Sequence, residues 1–159
     1  MAKRGVRIAI LVLIFCGAAR AQCVPGGLAV VVNKSNSVDS LSIAQLRKMI
    51  LGDMRTWPDH KQVALIARFP SSKVFQCMLS SIVHLSVGEY QRYVINAEFR
   101  GDDPMTIQIA ASDITAGRAV STTAGSFAVV EANSLAAIGG AVKILRIDGK
   151  ALGQPGYPL

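Results

Sequence analysis

An arginine followed by two hydroxyl residues is the constellation in this sequence best suited to holding an anion. Arg68 comes directly after an apolar stretch, and Ser71 and Ser72 follow at the start of a predicted helix. The first turn of a helix presents unpaired N–H groups and the positive end of the helix dipole. A guanidinium adds a rigid fork of donors that fits phosphate, sulfate or carboxylate oxygens. We therefore predict a ligand-binding site for a small oxyanion at Arg68, Ser71 and Ser72; the alternative is a serine helix cap beside a solvated arginine.

The sequence lacks the motifs of the common enzyme classes. It contains no Gly-x-Ser-x-Gly, Gly-x-x-x-x-Gly-Lys or Gly-x-Gly-x-x-Gly pattern. His60 and His84 are the only histidines, and each lies far along the chain from a plausible metal partner. A zinc site would need Cys23 and Cys77 as reduced thiolates. We expect no catalytic residues, no metal and no cofactor, and hence a protein that is not an enzyme.

The first 21 residues are typical of a secretory signal peptide. Basic residues precede an apolar run at positions 8–19, and Ala19-Arg20-Ala21 predicts cleavage before Gln22. The run of 12 residues is shorter than the roughly 20 that a membrane-spanning helix needs. An uncleaved anchor and a lipoprotein signal are the alternatives. We expect residues 1–21 to be removed, no membrane span to remain, and the protein to be periplasmic or secreted.

Removal of the leader changes the charge of the protein. Four of the 17 basic residues and none of the 10 acidic ones lie in it, so the net charge falls from +7 to +3. The remaining basic residues are scattered, with no aromatic residues interleaved. Because nucleic-acid binding needs a basic stripe or patch, we expect no nucleic-acid partner.

Two cysteines survive cleavage, Cys23 and Cys77. In an oxidising compartment they could form a disulfide around the 53 residues between them, with a stabilisation of about 3–4 kcal/mol from loop closure. The alternative is that Cys77 is a small core residue, since Val74, Met78 and Ile82 surround it at helical spacing.

Strand and helix patterns alternate along the chain. This order predicts one α/β domain over residues 22–150, with a mostly parallel or mixed sheet of about four or five strands flanked by helices. Ligands of such sheets bind at the carboxyl ends of the strands. Residues 151–159 hold two prolines and two glycines, and we expect them to form a C-terminal surface tail. The predicted strands cover 28–32, 63–67, 126–130 and 142–147, and the predicted helices cover 42–52, 70–84, a stretch capped by Ser86, and, more weakly, 107–121.

The helix after Ser42 has the clearest local signals. Ser42 and Gln45 have the spacing of a capping box, and Gly52 is a typical helix end. Trp57, a few residues further on, is predicted to cover the edge of the core, with stacking on a ligand as the alternative.

Several stretches match one known family in chain order. They are Val31-Val32-Asn33 with Asn36, Leu41–Leu46, Ile50–Trp57, Arg68 with Ser72 and Phe75, Phe99-Arg100-Gly101 with Pro104, and Gly125-Ser126-Phe127. Together they resemble the phosphate-binding proteins of bacterial phosphate ABC importers, in the type 2 periplasmic-binding-protein superfamily. The resemblance covers about one of the two lobes between which that family holds its anion.

The resemblance implies a short, single-lobe member of that family. Arg68 and Ser72 match its Arg-x-x-x-Ser-Gly-Thr motif, whereas Lys73-Val74 replaces Gly-Thr. The implied function is that of an exported, non-enzymatic solute-binding module that binds phosphate or a similar oxyanion and contacts an envelope or transporter protein. The alternative is a protein-interaction module that keeps the fold of a binding-protein lobe and binds no ligand.

Overall fold

The structure is a computed structural model that describes Cys23 and residues 26–102 and 105–159. The predicted signal peptide, residues 1–21, lies outside the described residues. Within those ranges, no helix combines the length and hydropathy needed to cross a membrane.

The described residues form seven strands and five α-helices. In chain order they are β1 (Leu28–Asn33), β2 (Ser40–Leu41), α1 (Ile43–Leu51), β3 (Ala64–Arg68), α2 (Lys73–Met78), α3 (Val87–Phe99), β4 (Thr106–Ala110), α4 (Asp113–Thr122), β5 (Ser126–Glu131), α5 (Leu135–Ile138), β6 (Val142–Ile144) and β7 (Arg146–Ile147).

Five of the strands form one mixed sheet in the order β4-β3-β5-β1-β6. β3 runs parallel to both β4 and β5, while β1 runs antiparallel to β5 and β6. β2 and β7 form a separate parallel pair. Helices cover both faces, and each face has its own apolar core. The predicted fold class, a single α/β domain with a mixed sheet, is confirmed.

Every residue of β1 is buried, as its continuous apolar run predicts. Val30 and Val32 pack into the core on one face, and Ala29 and Val31 pack into the core on the other. Such runs are typical of parallel sheets, yet both neighbours of β1 are antiparallel. The continuous apolar run of β1 therefore reflects burial of the strand on both faces of the sheet, and it does not indicate whether the neighbouring strands are parallel or antiparallel.

The capping box predicted for α1 is present. The Ser42 hydroxyl accepts a hydrogen bond from the Gln45 N–H at 3.1 Å, and the Gln45 side-chain oxygen accepts one from the Ser42 N–H at 2.8 Å. Gly52 ends the helix in the left-handed conformation, with φ at 81°, which glycine adopts without a steric cost. The boundaries of α1 therefore follow directly from its sequence.

The helix predicted over 107–121 is wrong in its first half. Residues 106–110 form β4, whose Ile107 and Ile109 lie opposite Leu65 and Ala67 of β3. Ile107 and Ile109 are separated by the polar Gln108, and this alternation is typical of a strand. The helix begins only at Asp113, where the Ser112 hydroxyl caps it by accepting from the Thr115 N–H at 3.1 Å. As a result, the first turn of α4 lies just beyond the carboxyl end of β4.

Two other predicted elements are interrupted. The helix predicted over 70–84 begins at Lys73 and changes to π-helical geometry over Leu79–Val83. The strand predicted over 142–147 is divided at Leu145 into β6 and β7.

The expectation of a surface tail over 151–159 is wrong at its end. Tyr157 and Leu159 are buried in the same core as α1 and α2. Gly153 and Gly156 adopt positive φ values of 81° and 78°, which lets the chain turn back onto the domain. Two apolar side chains therefore anchor a segment whose glycines and prolines are typical of a loop.

Trp57 belongs to the core and is only 2% exposed. Its indole N–H donates to the Gly125 carbonyl at 2.7 Å. Gly125 has φ of 79°, and a Cβ there would lie 2.2 Å from the Gln62 carbonyl oxygen. Position 125 therefore requires a glycine. Burial excludes Trp57 from stacking on a ligand at the surface.

The structure joins Cys23 to Cys77 by a disulfide. Cys77 is 3% exposed and lies in the apolar core, so it also has the packing role that its helical spacing predicts. The bond attaches the N-terminal end of the described chain to α2.

We expect reduction of this disulfide to destabilise the protein. The sequence separation is 54 residues, and release of that loop lowers the free energy of unfolding by about 3–4 kcal/mol. Urea unfolding of the chain from Gln22, with and without dithiothreitol, measures the loss. The Cys23→Ser variant is the control, because reductant should not change its stability. Equal midpoints for oxidised and reduced wild type would contradict the prediction.

Tyr90 connects α3 to α1. Its hydroxyl donates to the Ile50 carbonyl at 2.9 Å, and its ring meets that of Phe75 edge to face at 6.0 Å. Burial, and to a smaller extent the neighbouring Tyr93, raises the pKa of Tyr90 to about 12. The folded state therefore favours the neutral phenol.

This shift predicts an alkaline loss of stability that depends on Tyr90. Because the folded pKa of Tyr90 lies above the ordinary value of about 10, its contribution is complete below pH 10 and is lost as the pH rises towards 12. Between these pH values, wild type should lose roughly 2–3 kcal/mol more unfolding free energy than Tyr90→Phe. Urea unfolding at stepped pH measures both proteins. Parallel pH curves would show that the phenol is not held neutral by the fold.

Candidate functional site

A solvent-open pocket of about 360 Å³ lies where β3, β4 and β5 end. These three strands are neighbours and run parallel, so their carboxyl ends share one edge of the sheet. Ligands of open α/β sheets bind at this position. The pocket is lined by Arg68, Ser72, Lys73, Val74, Ser112, Asp113, Ile114, Glu131 and Ser134.

The first turns of α2 and α4 both reach this pocket. In each helix the capping residue and the first two helical residues belong to the lining. Ser72 uses its hydroxyl to accept from the Phe75 N–H at 3.2 Å, and Ser112 accepts in the same way from Thr115. Each cap satisfies the third N–H of its helix. The first two N–H groups have no partner within a helix, so the pocket wall carries two positive helix ends.

Arg68 forms part of the wall, but its guanidinium is already bonded within the protein. Nη1 donates to a carboxylate oxygen of Asp113, and Nη2 donates to the Ala111 carbonyl at 2.9 Å. The side chains of this ion pair are only 17% and 7% exposed. The Arg68 Nε–H is buried and has no hydrogen-bond partner among the described residues. The fork of donors predicted for a ligand therefore points at the start of α4.

Asp113 is the residue of this site that sequence reasoning missed. It is the first residue of α4, where the helix dipole stabilises a negative charge. Its second carboxylate oxygen accepts from the Glu131 N–H at 2.9 Å. Ser112 and Thr115 have the spacing of a capping pair and are a local signal for this helix start. The signal was not used, because both residues lie inside the single helix predicted over 107–121. Asp113 thus supplies a negative charge from the protein itself beside Arg68.

The three predicted ligand-binding residues have different positions. Arg68 and Ser72 both line the pocket. Ser71 is exposed and lies outside the lining, and its carbonyl accepts from the Gln76 side chain at 3.3 Å. The alternative of a serine cap beside a solvated arginine is right for Ser72, whose hydroxyl caps α2, and wrong for Arg68, whose side chain is only 17% exposed and paired with Asp113.

The charges of the pocket are balanced. Arg68 and Lys73 supply two positive charges, and Asp113 and Glu131 supply two negative ones. Among the described residues, no cluster of three metal-ligating side chains occurs. Any attraction for an anion therefore comes from the helix ends and local geometry, with no excess of positive side chains.

A second cavity of about 340 Å³ adjoins the pocket. Both are lined by Lys73, Val74 and Glu131, and the second cavity also contains the Cys23–Cys77 disulfide in its wall. The disulfide therefore lines a cavity that shares the first turn of α2 with the pocket.

No protein-family model matches the sequence, and no curated protein matches it. The structure, by contrast, is similar to solved phosphate-binding proteins. An ABC-type phosphate transport receptor from Vibrio cholerae superposes with a TM-score of 0.66 at 19% identity, over 84% of this chain and 53% of that one. A Clostridium perfringens protein, solved with bound phosphate and assigned as a phosphate ABC transporter substrate-binding protein, gives 0.63 at 13% identity, over 81% and 49%.

A third similar structure is a phosphate-binding protein from Stenotrophomonas maltophilia. Its TM-score is 0.61 at 14% identity, over 81% of this chain and 42% of that one. The chain thus spans about half the length of the proteins it resembles, and at these identities the likeness is one of fold. This protein has the fold of one lobe of a phosphate ABC transporter substrate-binding protein.

Proposed function

We propose that this protein is an exported, non-enzymatic solute-binding lobe that holds a small oxyanion, such as phosphate, weakly in the pocket at Arg68. The observation that carries the proposal is the convergence of Arg68 and the first turns of α2 and α4 on one open pocket. Two helix starts provide N–H groups and positive dipole ends suited to an anion. Bound phosphate in the similar Clostridium perfringens protein supports the same ligand class.

Weak affinity follows from the charges and from the size of the chain. An oxyanion must give up its hydration, and only many converging donors offset that loss. Here Asp113 and Glu131 oppose the anion, and the chain corresponds to about half of its structural relatives. We expect a dissociation constant of about 1 mM or weaker, which is a binding free energy of about −4 kcal/mol.

Export and a transport-related partner complete the proposal. The N-terminal 21 residues have the charge and hydropathy pattern of a signal peptide, which supports a periplasmic or secreted location. The similar structures are those of ABC-type phosphate transport proteins, which supports an envelope or transporter protein as the partner. The absence of enzyme motifs from the sequence supports a binding role.

Isothermal titration of phosphate and of sulfate into the chain from Gln22 tests the site. We expect Arg68→Ala to abolish the binding heat, because the guanidinium is lost. Lys73→Ala should weaken binding several-fold, because it removes one of the two positive side chains of the lining.

Two matched variants serve as controls for the titration. Arg100→Ala removes an exposed arginine paired with Asp102 at 3.0 Å, and Lys48→Ala removes an exposed lysine of α1. Both should bind like wild type. Circular dichroism checks that each variant is folded. Identical heats for wild type and folded Arg68→Ala would refute the site.

The Arg68–Asp113 ion pair favours a second candidate function, a protein-interaction module without a ligand. In that case the pair is only structural, and contacts come from exposed apolar side chains. Phe99 is 87% exposed and Ile95 is 49% exposed, four residues apart on α3. Two results together would favour this candidate. Titration of phosphate and sulfate into wild type would give no binding heat, and immobilised wild type would bind an envelope protein that the Phe99→Ser variant does not bind.

A further inference from the structure

We propose that Asp113 is an internal competitor for Arg68, so that an oxyanion enters the pocket only by displacing this carboxylate. The inference rests on the proposed function, because it concerns the regulation of the same site. It assigns to Asp113 the role of setting the affinity of the pocket for anions.

Asp113 already occupies the position that an anionic ligand would take. It receives a hydrogen bond from Arg68 Nη1 and another from the Glu131 N–H, and it lies in the first turn of α4. A guanidinium donor, a backbone N–H and a helix start are the contacts that proteins give to bound oxyanions. The carboxylate thus satisfies donors that a solute would otherwise use.

The pairing with Arg68 is nevertheless incomplete. A carboxylate held by two parallel N–H donors is the strongest arrangement of this kind. Here Asp113 accepts from Nη1, while Nη2 turns to the Ala111 carbonyl and the buried Nε–H has no partner among the described residues. A tetrahedral oxyanion offers more acceptor oxygens than a carboxylate with one oxygen already engaged by Glu131. Arg68 would therefore gain hydrogen bonds by exchanging Asp113 for such a ligand.

The remaining charges of the pocket do not alter this competition. Lys73 and Glu131 line the same wall with opposite signs and are unchanged when Asp113 is replaced. Substitution of Asp113 by its neutral amide removes one negative charge and keeps the size of the side chain. The difference in phosphate affinity between wild type and Asp113→Asn then measures the effect of the carboxylate charge.

Titration of inorganic phosphate into the Asp113→Asn variant tests the inference. We expect it to bind phosphate at least tenfold more tightly than wild type, and to bind sulfate more tightly as well. The matched control is Asp102→Asn, which removes the acidic partner of the exposed Arg100 ion pair. That variant should bind like wild type.

The outcomes separate the inference from the function on which it rests. Equal or weaker binding by folded Asp113→Asn, while wild type binds and Arg68→Ala does not, would overturn the competition and leave the oxyanion site in place. Absence of binding by both wild type and Asp113→Asn would overturn the proposed function and the inference with it.

A measurement on wild type keeps the inference testable if Asp113→Asn does not fold. Nuclear magnetic resonance follows the Arg68 Nε–H and the Glu131 backbone N–H during phosphate addition. Displacement of Asp113 should shift both signals together, since the same carboxylate contacts Arg68 and Glu131. A shift of the Arg68 signal alone would overturn the competition, and no shift of either would overturn the site.

Discussion

The ion pair between Arg68 and Asp113 joins the end of β3 to the start of α4, and the same carboxylate binds the N–H of Glu131 at the end of β5. One buried side chain thereby holds together three elements at the edge of the sheet where the pocket opens. Removing a single partner of such a pair typically costs about 3–5 kcal/mol, because the other charge is left buried and unpaired. The pocket wall and the stability of this edge therefore depend on the same contact.

This contact explains how the fold of a phosphate-binding lobe combines with a pocket of balanced charge. The fold supplies parallel strand ends and two helix starts, which are general features of anion sites. The side chains of the lining then determine how many of these N–H donors are free to contact a solute. In this chain the Asp113 carboxylate already accepts from Arg68 and from the Glu131 N–H, and Glu131 adds a second carboxylate to the lining. Likeness of fold therefore does not determine the charge of the pocket.

The sequence predicted those parts of the structure that depend on neighbouring residues. The capping box of Ser42 and Gln45, the buried run of β1 and the position of Arg68 at a strand end all follow from local patterns. Asp113 did not, because its role requires β4 to pair with β3 and so bring α4 to Arg68. The spacing of two between Ile107 and Ile109 is typical of a strand, but it does not show which strand is the partner.

The same limit applies to the C-terminal segment. Its glycines and prolines are typical of a loop, and the burial of Tyr157 and Leu159 depends on a core that is built by residues far away in the chain. The local composition correctly predicts that this segment is a loop, but the burial of its two side chains depends on tertiary packing.

The position of the disulfide has a consequence for how the molecule is produced. Cys23 follows the predicted cleavage point by one residue, and its bond to Cys77 lines a hollow that shares Lys73 and Val74 with the pocket. Protein expressed in a reducing cytoplasm lacks this tether, whereas protein matured in an oxidising compartment has it. The two preparations therefore differ in the Cys23–Cys77 bond, close to the first turn of α2. A binding measurement should state in which kind of compartment the protein was produced.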